Sequence, residues 1–116
     1  MVNTEFRQTS DQEETLIREL LANDFVGRRE VEMQLRNCNV RAIDSYGSLE
    51  LKPSVTHSAS VTHRVPTEIW GEDEDGILVH VLLHVIDGMC KEIEIYKDSP
   101  SSIVKMPKEW THFSPG

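Results

Sequence analysis

Apolar residues recur with the period of an α-helix near the start of the chain. The stripe consists of Leu16, Ile17, Leu20 and Leu21. Ser10 and Glu13 have the spacing of a capping box, in which each side chain bonds the backbone N–H of the other residue. The pattern therefore predicts a helix over residues 11–23 that lays its apolar stripe on a sheet.

The central part of the chain predicts a second, short helix and then a hairpin. Val31 and Leu35 would share one face of a helix over residues 28–36, with its arginines in solvent. Apolar residues then recur at every second position, as in a β-strand. Two short strands joined by a turn around residues 45–47 are predicted, and Pro53 ends the second or marks an edge.

A polar segment, residues 54–66, separates this hairpin from the next strongly patterned region. We expect a loop in its first half and a strand that begins near Val61. Pro66 interrupts that strand because proline cannot donate to a sheet, and pairing resumes over residues 67–70.

The strongest local pattern is a β-hairpin in the C-terminal third. Residues 77–86 are apolar at almost every position and rich in β-branched side chains, which predicts a central strand buried on both faces. Asp87-Gly88 is a strong turn signal, because a type I′ turn needs positive φ at both positions. Residues 89–96 alternate between apolar and charged or polar side chains, as expected of the return strand. The residues after 98 are partly apolar, but their spacing defines no element.

These elements predict one α+β domain over residues 1–116, with residues 1–8 flexible. Its core is an antiparallel sheet of about five strands with the N-terminal helix packed on one face.

The charge distribution bears on the class of partner. The net charge is -8, and residues 67–76 contain five acids and no base. Such a chain repels nucleic acid, which needs clustered lysine and arginine, and attracts a basic partner. There is no run of 18 apolar residues, so we expect no contact with a membrane. With no signal peptide apparent, we expect a cytoplasmic protein with Cys38 and Cys90 reduced.

The segment His80-Val-Leu-Leu-His84 looks like half of a zinc-hydrolase motif. The motif needs a helix and a glutamate after the first histidine, where this chain has Val81. On a strand the two histidines would be ~13 Å apart along one face. Two ligands of one zinc need nitrogens only ~3.3 Å apart. We therefore expect two partly buried histidines. The remaining candidates lack metal-ligand spacing; they are Cys38, Cys90, His57, His63 and His112.

Two acidic motifs also lack the pattern of a catalytic or calcium site. An EF-hand register placed on Gly76 would require ligands at Gly71 and Leu82, which offer none. Glu92 and Glu94 would be ~6.6 Å apart on one strand face, a distance compatible with acid–base hydrolysis and equally typical of an amphipathic strand. We predict no catalytic residue, cofactor or metal site.

The N-terminal helix and the late hairpin together resemble a group of small, mostly uncharacterised bacterial domains. The matching residues of the helix are Glu13, Glu14, Leu16, Ile17, Leu20 and Leu21. Those of the hairpin are Asp87, Gly88, Glu92, Ile93, Glu94, Ile95 and Tyr96. The size, charge and EIEIY strand more loosely resemble small acidic immunity proteins of bacterial toxin systems. That resemblance implies neutralisation of a cognate toxin by direct binding.

The predicted function is therefore that of a non-enzymatic binding protein, most concretely an immunity protein for a basic toxin such as a nuclease. Binding is assigned to an aromatic anchor with neighbouring carboxylates. The assigned residues are Trp70, Glu72, Asp73, Glu74 and Asp75. The alternative is a small-ligand-binding or regulatory domain with a pocket between helix and sheet.

Overall fold

The structure, a computed structural model, describes residues 5–116. It contains two helices and six strands in those residues. The elements are α1 (Asp11–Leu21), α2 (Arg28–Leu35), β1 (Asn39–Ala42), β2 (Leu49–Lys52), β3 (Thr67–Glu72), β4 (Leu78–Ile86), β5 (Met89–Lys97) and β6 (Thr111–Phe113). The α+β class is confirmed, and the sheet has one strand more than predicted.

All six strands form one antiparallel sheet in the order β1-β2-β5-β4-β3-β6. The predicted turn between β4 and β5 is confirmed, since φ is +51° at Asp87 and +79° at Gly88. A register shift between His84 and Val85 marks a bulge in this hairpin, near its turn. Strand β6 pairs with Glu68, Ile69 and Trp70 of β3; its three residues were too few to show a pattern.

Both helices pack on the same face of the sheet, with α1 against β3 and β4 and α2 against β5. The capping box of α1 is confirmed, because Ser10 and Glu13 bond each other's backbone N–H groups. The core between the layers is filled with aliphatic side chains. The largest fully buried ones are Leu20, Leu49, Ile69, Leu83 and Ile93.

Strand β4 differs from its prediction, because only one of its faces is fully buried. Its side chains alternate between buried and partly exposed along the whole strand. Val81 and Leu83 face the helices, whereas His80 and Leu82 lie on the opposite side, where no described helix packs. The apolar run therefore does not indicate helices on both faces here.

The segment between β2 and β3 forms no strand, contrary to the strand predicted from Val61. It is instead attached to the β4–β5 turn by a buried side chain of α2. Gln34 donates to the carbonyls of His57 and Gly88 and accepts from the N–H of Cys90. The carbonyl of His57 and the N–H of Ala59, which bonds the carbonyl of Gly88, find partners there without a neighbouring strand.

Within the segment 1–8 that was predicted to be flexible, Arg7 contacts β1 and α1. Its backbone exchanges two hydrogen bonds with Val40, and its guanidinium pairs with Glu13. Residues 1–4 lie outside the described part of the chain. Neither described helix is long and apolar enough to cross a membrane.

Candidate binding surface

The sheet face opposite the helices, called here the open face, carries the side chains that alternate with the core. Strand register places aromatic residues and carboxylates there. The aromatic and imidazole members are Trp70, His80, Tyr96, Phe113 and His84. The acidic members are Glu50, Glu68, Glu72, Glu92, Glu94 and Asp98, against the cations Arg41, Lys52 and Arg64.

Four rings form a continuous row across the open face. His80 stacks on Tyr96, with centroids 4.6 Å apart and planes 8° from parallel. Trp70 lies 6.4 Å from His80 and 6.3 Å from Phe113. Phe113 is 45% exposed and Trp70 is half-buried. The row is thus an apolar strip that remains partly accessible to a partner.

Carboxylates flank this aromatic row on both sides. Glu68 and Glu72 are two residues before and after Trp70 on the same strand face. Asp98 Oδ1 lies 2.9 Å from Nε2 of His80, although without hydrogen-bond alignment. The strip therefore combines a ring surface with negative charge at its border, a pattern suited to cationic side chains.

An open groove of about 860 Å³ adjoins this row at the β3–β4 turn. Trp70, Glu72 and Glu74 line one side, and Lys108 and Trp110 of the C-terminal segment line the other. Glu72 and Glu74 are exposed. Four of the five predicted partner-binding residues, Trp70, Glu72, Asp73 and Glu74, therefore line a concave surface, and Asp75 does not.

Asp73 is not available to a partner, which corrects its assignment to the binding surface. Its side chain is fully buried and lies 2.9 Å from the Nζ of Lys97. It also accepts from the backbone N–H groups of Val104 and Lys105, at 2.7 and 2.9 Å. These contacts attach the C-terminal segment to the sheet, so the role of Asp73 is internal.

Asp75 is also engaged internally, since its Oδ2 lies 2.6 Å from Lys97 Nζ and its side chain is one-third exposed. The hydrogen bonds from Lys97 and from the N–H of Ile77 lower the pKa of Asp75. Burial alone would raise the pKa of Asp73, but the bonds from Lys97 and three backbone N–H groups outweigh it and hold the pKa far below its ordinary value. Both carboxylates stay ionised. Of the four acids in the predicted acidic turn, Asp73 and Asp75 thus stabilise the fold, whereas Glu72 and Glu74 are exposed.

The two histidines of β4 have separate acidic neighbours. His80 lies beside Asp98, and His84 Nε2 lies 2.8 Å from Glu94 Oε1. The structure also brings His84 together with Glu92, so that three ligand-type side chains converge. Sequence reasoning treated the histidines and the glutamates of β5 separately. A regular register from the Asp87-Gly88 turn would place Lys91 opposite His84, so the pairing with Glu92 depends on the bulge, which the sequence does not show.

The other metal and nucleophile candidates are dispersed. Cys38 and Cys90 are buried free thiols. His112 bonds Glu19 of α1, and the side chains of His57 and His63 are exposed in the segment between β2 and β3. The space between α1 and the sheet, where the alternative prediction placed a ligand pocket, is filled by core side chains.

Residues 6–107 match a family described as a domain of unknown function, DUF6984. The chain belongs to this family. The matched region contains both helices and β1 to β5, whereas β6 lies beyond it. No curated protein and no solved structure matches the chain. Membership agrees with the expected likeness to small uncharacterised domains.

Proposed function

We propose that this DUF6984 domain is a non-enzymatic binding protein that holds a basic protein partner on its open face. The observation that carries the proposal is the row of four rings bordered by carboxylates. Large rings supply contact area at low entropic cost, and rings with a charged border are typical of interface hot spots.

The charge of this surface supports a cationic partner. The acidic side chains of the open face outnumber the basic ones two to one. Because Arg41 is already paired with Glu50, the positive charge near β1 is partly neutralised. Glu68, Glu72 and Glu74 around Trp70 form no ion pair in the described residues, although Lys105 and Lys108 line the same groove as Glu72 and Glu74. A basic surface would supply ion-pair partners for these carboxylates.

The most concrete form of this function is immunity to a basic toxin, such as a nuclease. The resemblance of the size, acidity and EIEIY strand to small immunity proteins supports it. An immunity protein acts by occupying its toxin, so it needs a complementary surface and no reacting groups of its own. Trp70, Glu72 and Glu74 are the assigned contacts. His80 and Tyr96 continue the row of rings next to Trp70.

The test begins with the product of the gene adjacent to this one. That protein is purified with and without the domain, and binding is measured by calorimetry at several salt concentrations. A tight complex whose affinity falls as the salt concentration rises, together with rescue of growth when both genes are expressed, supports the proposal. An adjacent gene product that neither binds nor harms the cell counts against immunity.

Variants then locate the surface. Trp70→Ala should raise the Kd by at least about tenfold, as expected of a hot-spot residue. The double change Glu72→Lys and Glu74→Lys should slow association and reduce its dependence on salt. Asp24→Lys, in the exposed loop between the helices, is the charge control matched to each single change, Glu72→Lys or Glu74→Lys. Equal effects of the control and the single variants would argue for non-specific attraction and against this surface.

The alternative function, binding of a small ligand, has a different location. A groove of about 430 Å³ lies between the two helices, lined by Arg18, Arg28 and Arg36 and by apolar side chains such as Leu21. Glu14 and Glu32 also line it, and Glu32 pairs with Arg28 and Arg36, so the three arginines leave one surplus positive charge, which favours an anionic metabolite. A screen of such compounds by thermal shift separates the two functions, because only a ligand of this groove should lose its effect in Arg18→Ala.

A further inference from the structure

We propose that His84, Glu92 and Glu94 form a binding site for a divalent transition-metal ion such as Zn²⁺. One ligand atom from each side chain can be chosen so that all three lie within 4.8 Å of one another. His84 lies on β4, and both glutamates lie on β5, the adjacent strand. An imidazole with two carboxylates is a ligand set suited to zinc or manganese.

The distances need only a small contraction to hold an ion. With ligand bonds of about 2.0–2.2 Å, neighbouring ligand atoms around zinc are about 3–3.5 Å apart. His84 Nε2 and Glu94 Oε1 are 2.8 Å apart, already close to that separation. Glu92 is paired with His84 across the two strands, and its carboxylate oxygen lies within 4.8 Å of the other two ligand atoms, so about 1 to 2 Å of side-chain movement would complete the site. Three protein ligands leave one tetrahedral position for water or for an atom of a bound molecule.

The carboxylates around the site also favour a cation. Glu92 is directly opposite Glu50 across β2 and β5, a pairing of like charges that destabilises a sheet. Arg41 pairs with Glu50, whereas Glu92 has no ion pair or hydrogen bond in residues 5–116. Glu92 is nevertheless half-buried. A metal ion would supply the positive charge that this carboxylate lacks.

Arg64 is the competitor of the metal at this site. Its Nε donates to Nδ1 of His84 at 3.1 Å, so in the metal-free protein the ring carries its proton on Nε2 and donates to Glu94. Coordination through Nε2 moves that proton to Nδ1, which then no longer accepts from Arg64. The exposed Arg64 side chain must therefore move away when the ion binds. The His84 ring thus either accepts from the guanidinium of Arg64 at Nδ1 or coordinates the metal ion at Nε2.

Calorimetric titration of the whole chain with Zn²⁺, after treatment with chelator, tests the site. One ion should bind per chain. His84→Ala should abolish binding, and Glu92→Gln and Glu94→Gln should each weaken it by more than the ~10-fold expected of outer-shell changes. His57→Ala, an exposed histidine elsewhere, should bind normally. Absence of a one-to-one isotherm, or unchanged binding in the Glu92→Gln/Glu94→Gln double variant, would overturn the proposal.

The Arg64→Ala variant gives a readout that a merely structural cluster would not show. Removing the competing guanidinium should tighten Zn²⁺ binding several-fold, and weaker binding would contradict the proposed competition. Circular dichroism of each variant confirms that it is folded before titration. The metal ligands lie on the open face but are not among the assigned partner contacts Trp70, Glu72 and Glu74, and their readout is Zn²⁺ binding without partner. Failure of one proposal therefore leaves the other standing.

Discussion

The Nζ of Lys97 lies 2.9 Å from Oδ2 of Asp73, and both side chains are completely buried. Lys97 is the last residue of β5, and Asp73 begins the turn after β3. The ammonium also bonds Asp75 and the carbonyl of Ser102. One buried charge therefore joins a strand end, an acidic turn and the C-terminal segment.

The first prediction concerns Asp73→Asn. The variant should have a clearly lower melting temperature at pH 7, because an amide replaces one of the two carboxylates that pair with the buried Lys97 and cannot accept with both of its polar atoms. Glu72→Gln, at the exposed neighbouring position, is the control and should melt like the native chain. Thermal melts of both variants followed by circular dichroism check this, and an Asp73→Asn melting temperature equal to that of the control would contradict it.

The same pair sets a dependence of stability on pH. The pKa of Asp73 is lower in the folded chain than its ordinary value of 3.8. The stability that this group contributes is therefore complete above about pH 4 and is lost as the pH falls toward the folded pKa. Urea midpoints between pH 2 and 7 should fall more steeply at the acid end for the native chain than for Asp73→Asn. Parallel curves would show that another carboxylate controls acid unfolding.

The second prediction concerns Gln34, whose buried amide joins α2 to the β4–β5 turn. Gln34→Leu keeps the volume but leaves the buried N–H of Cys90 without its acceptor. An unsatisfied buried donor costs about 1–3 kcal/mol, so the free energy of unfolding should fall by that amount. Urea unfolding measures it, with Met33→Leu, an exposed neighbour on the same helix, as the control.

Gln34 also anchors the segment between β2 and β3 through the carbonyl of His57. Limited proteolysis should therefore cleave residues 53–66 faster in Gln34→Leu than in the native chain. Equal cleavage rates would mean that the hydrogen bond between Ala59 and Gly88 holds the segment without the glutamine.

The third prediction concerns Gly88 in the turn of the hairpin. Its φ of +79° is strained for other residues, and a methyl group there would overlap the Ser58 side chain. Gly88→Ala should therefore lower the free energy of unfolding by about 1–3 kcal/mol. Asp87→Asn is the control, because asparagine tolerates the positive φ of this position. Chemical denaturation of the two variants should separate them clearly.

The helices and most strands were predictable because their signals are local. The capping box fixes the start of α1, and Asp87-Gly88 fixes a turn. Burial was predicted less well, since the apolar run of β4 cannot show whether helices cover one face or two. Strand β6 depends on pairing with β3, and the missing strand near Val61 depends on Gln34.

The binding surface was only partly predictable for the same reason. The sequence places Trp70 beside four acids, but it cannot show that a lysine at the end of β5 withdraws Asp73 into the interior. Likewise, His84 and Glu92 converge through strand register, which involves residues separated along the chain. Residue type and spacing thus identified the segment around Trp70 as a candidate surface, whereas contacts between distant residues determine which of its side chains are accessible.

The fourth prediction concerns the two thiols. Burial raises the pKa of Cys90 to about 12 and also raises the pKa of Cys38. Because the thiolate is the reactive form, neither cysteine should react with a disulfide reagent such as DTNB in the native chain. Both should react in urea, and an exposed Ser101→Cys variant should gain one fast thiol as a positive control. A fast native thiol without that substitution would contradict the inert role expected of both.

The fifth prediction concerns how the stacked rings of His80 and Tyr96 on the open face contribute to stability. His80 stacks on Tyr96, but its Nε2 is buried without an aligned hydrogen bond, which costs free energy. His80→Phe keeps a ring on Tyr96 and removes the polar atom. The free energy of unfolding should therefore stay within about 0.5 kcal/mol of the native value or rise. Tyr96→Ala, which removes the stacked ring, should cost at least the ~0.5–1.5 kcal/mol of an aromatic pair. Urea denaturation measures both, and a large loss in His80→Phe would show that the contact between His80 and Asp98 stabilises the fold.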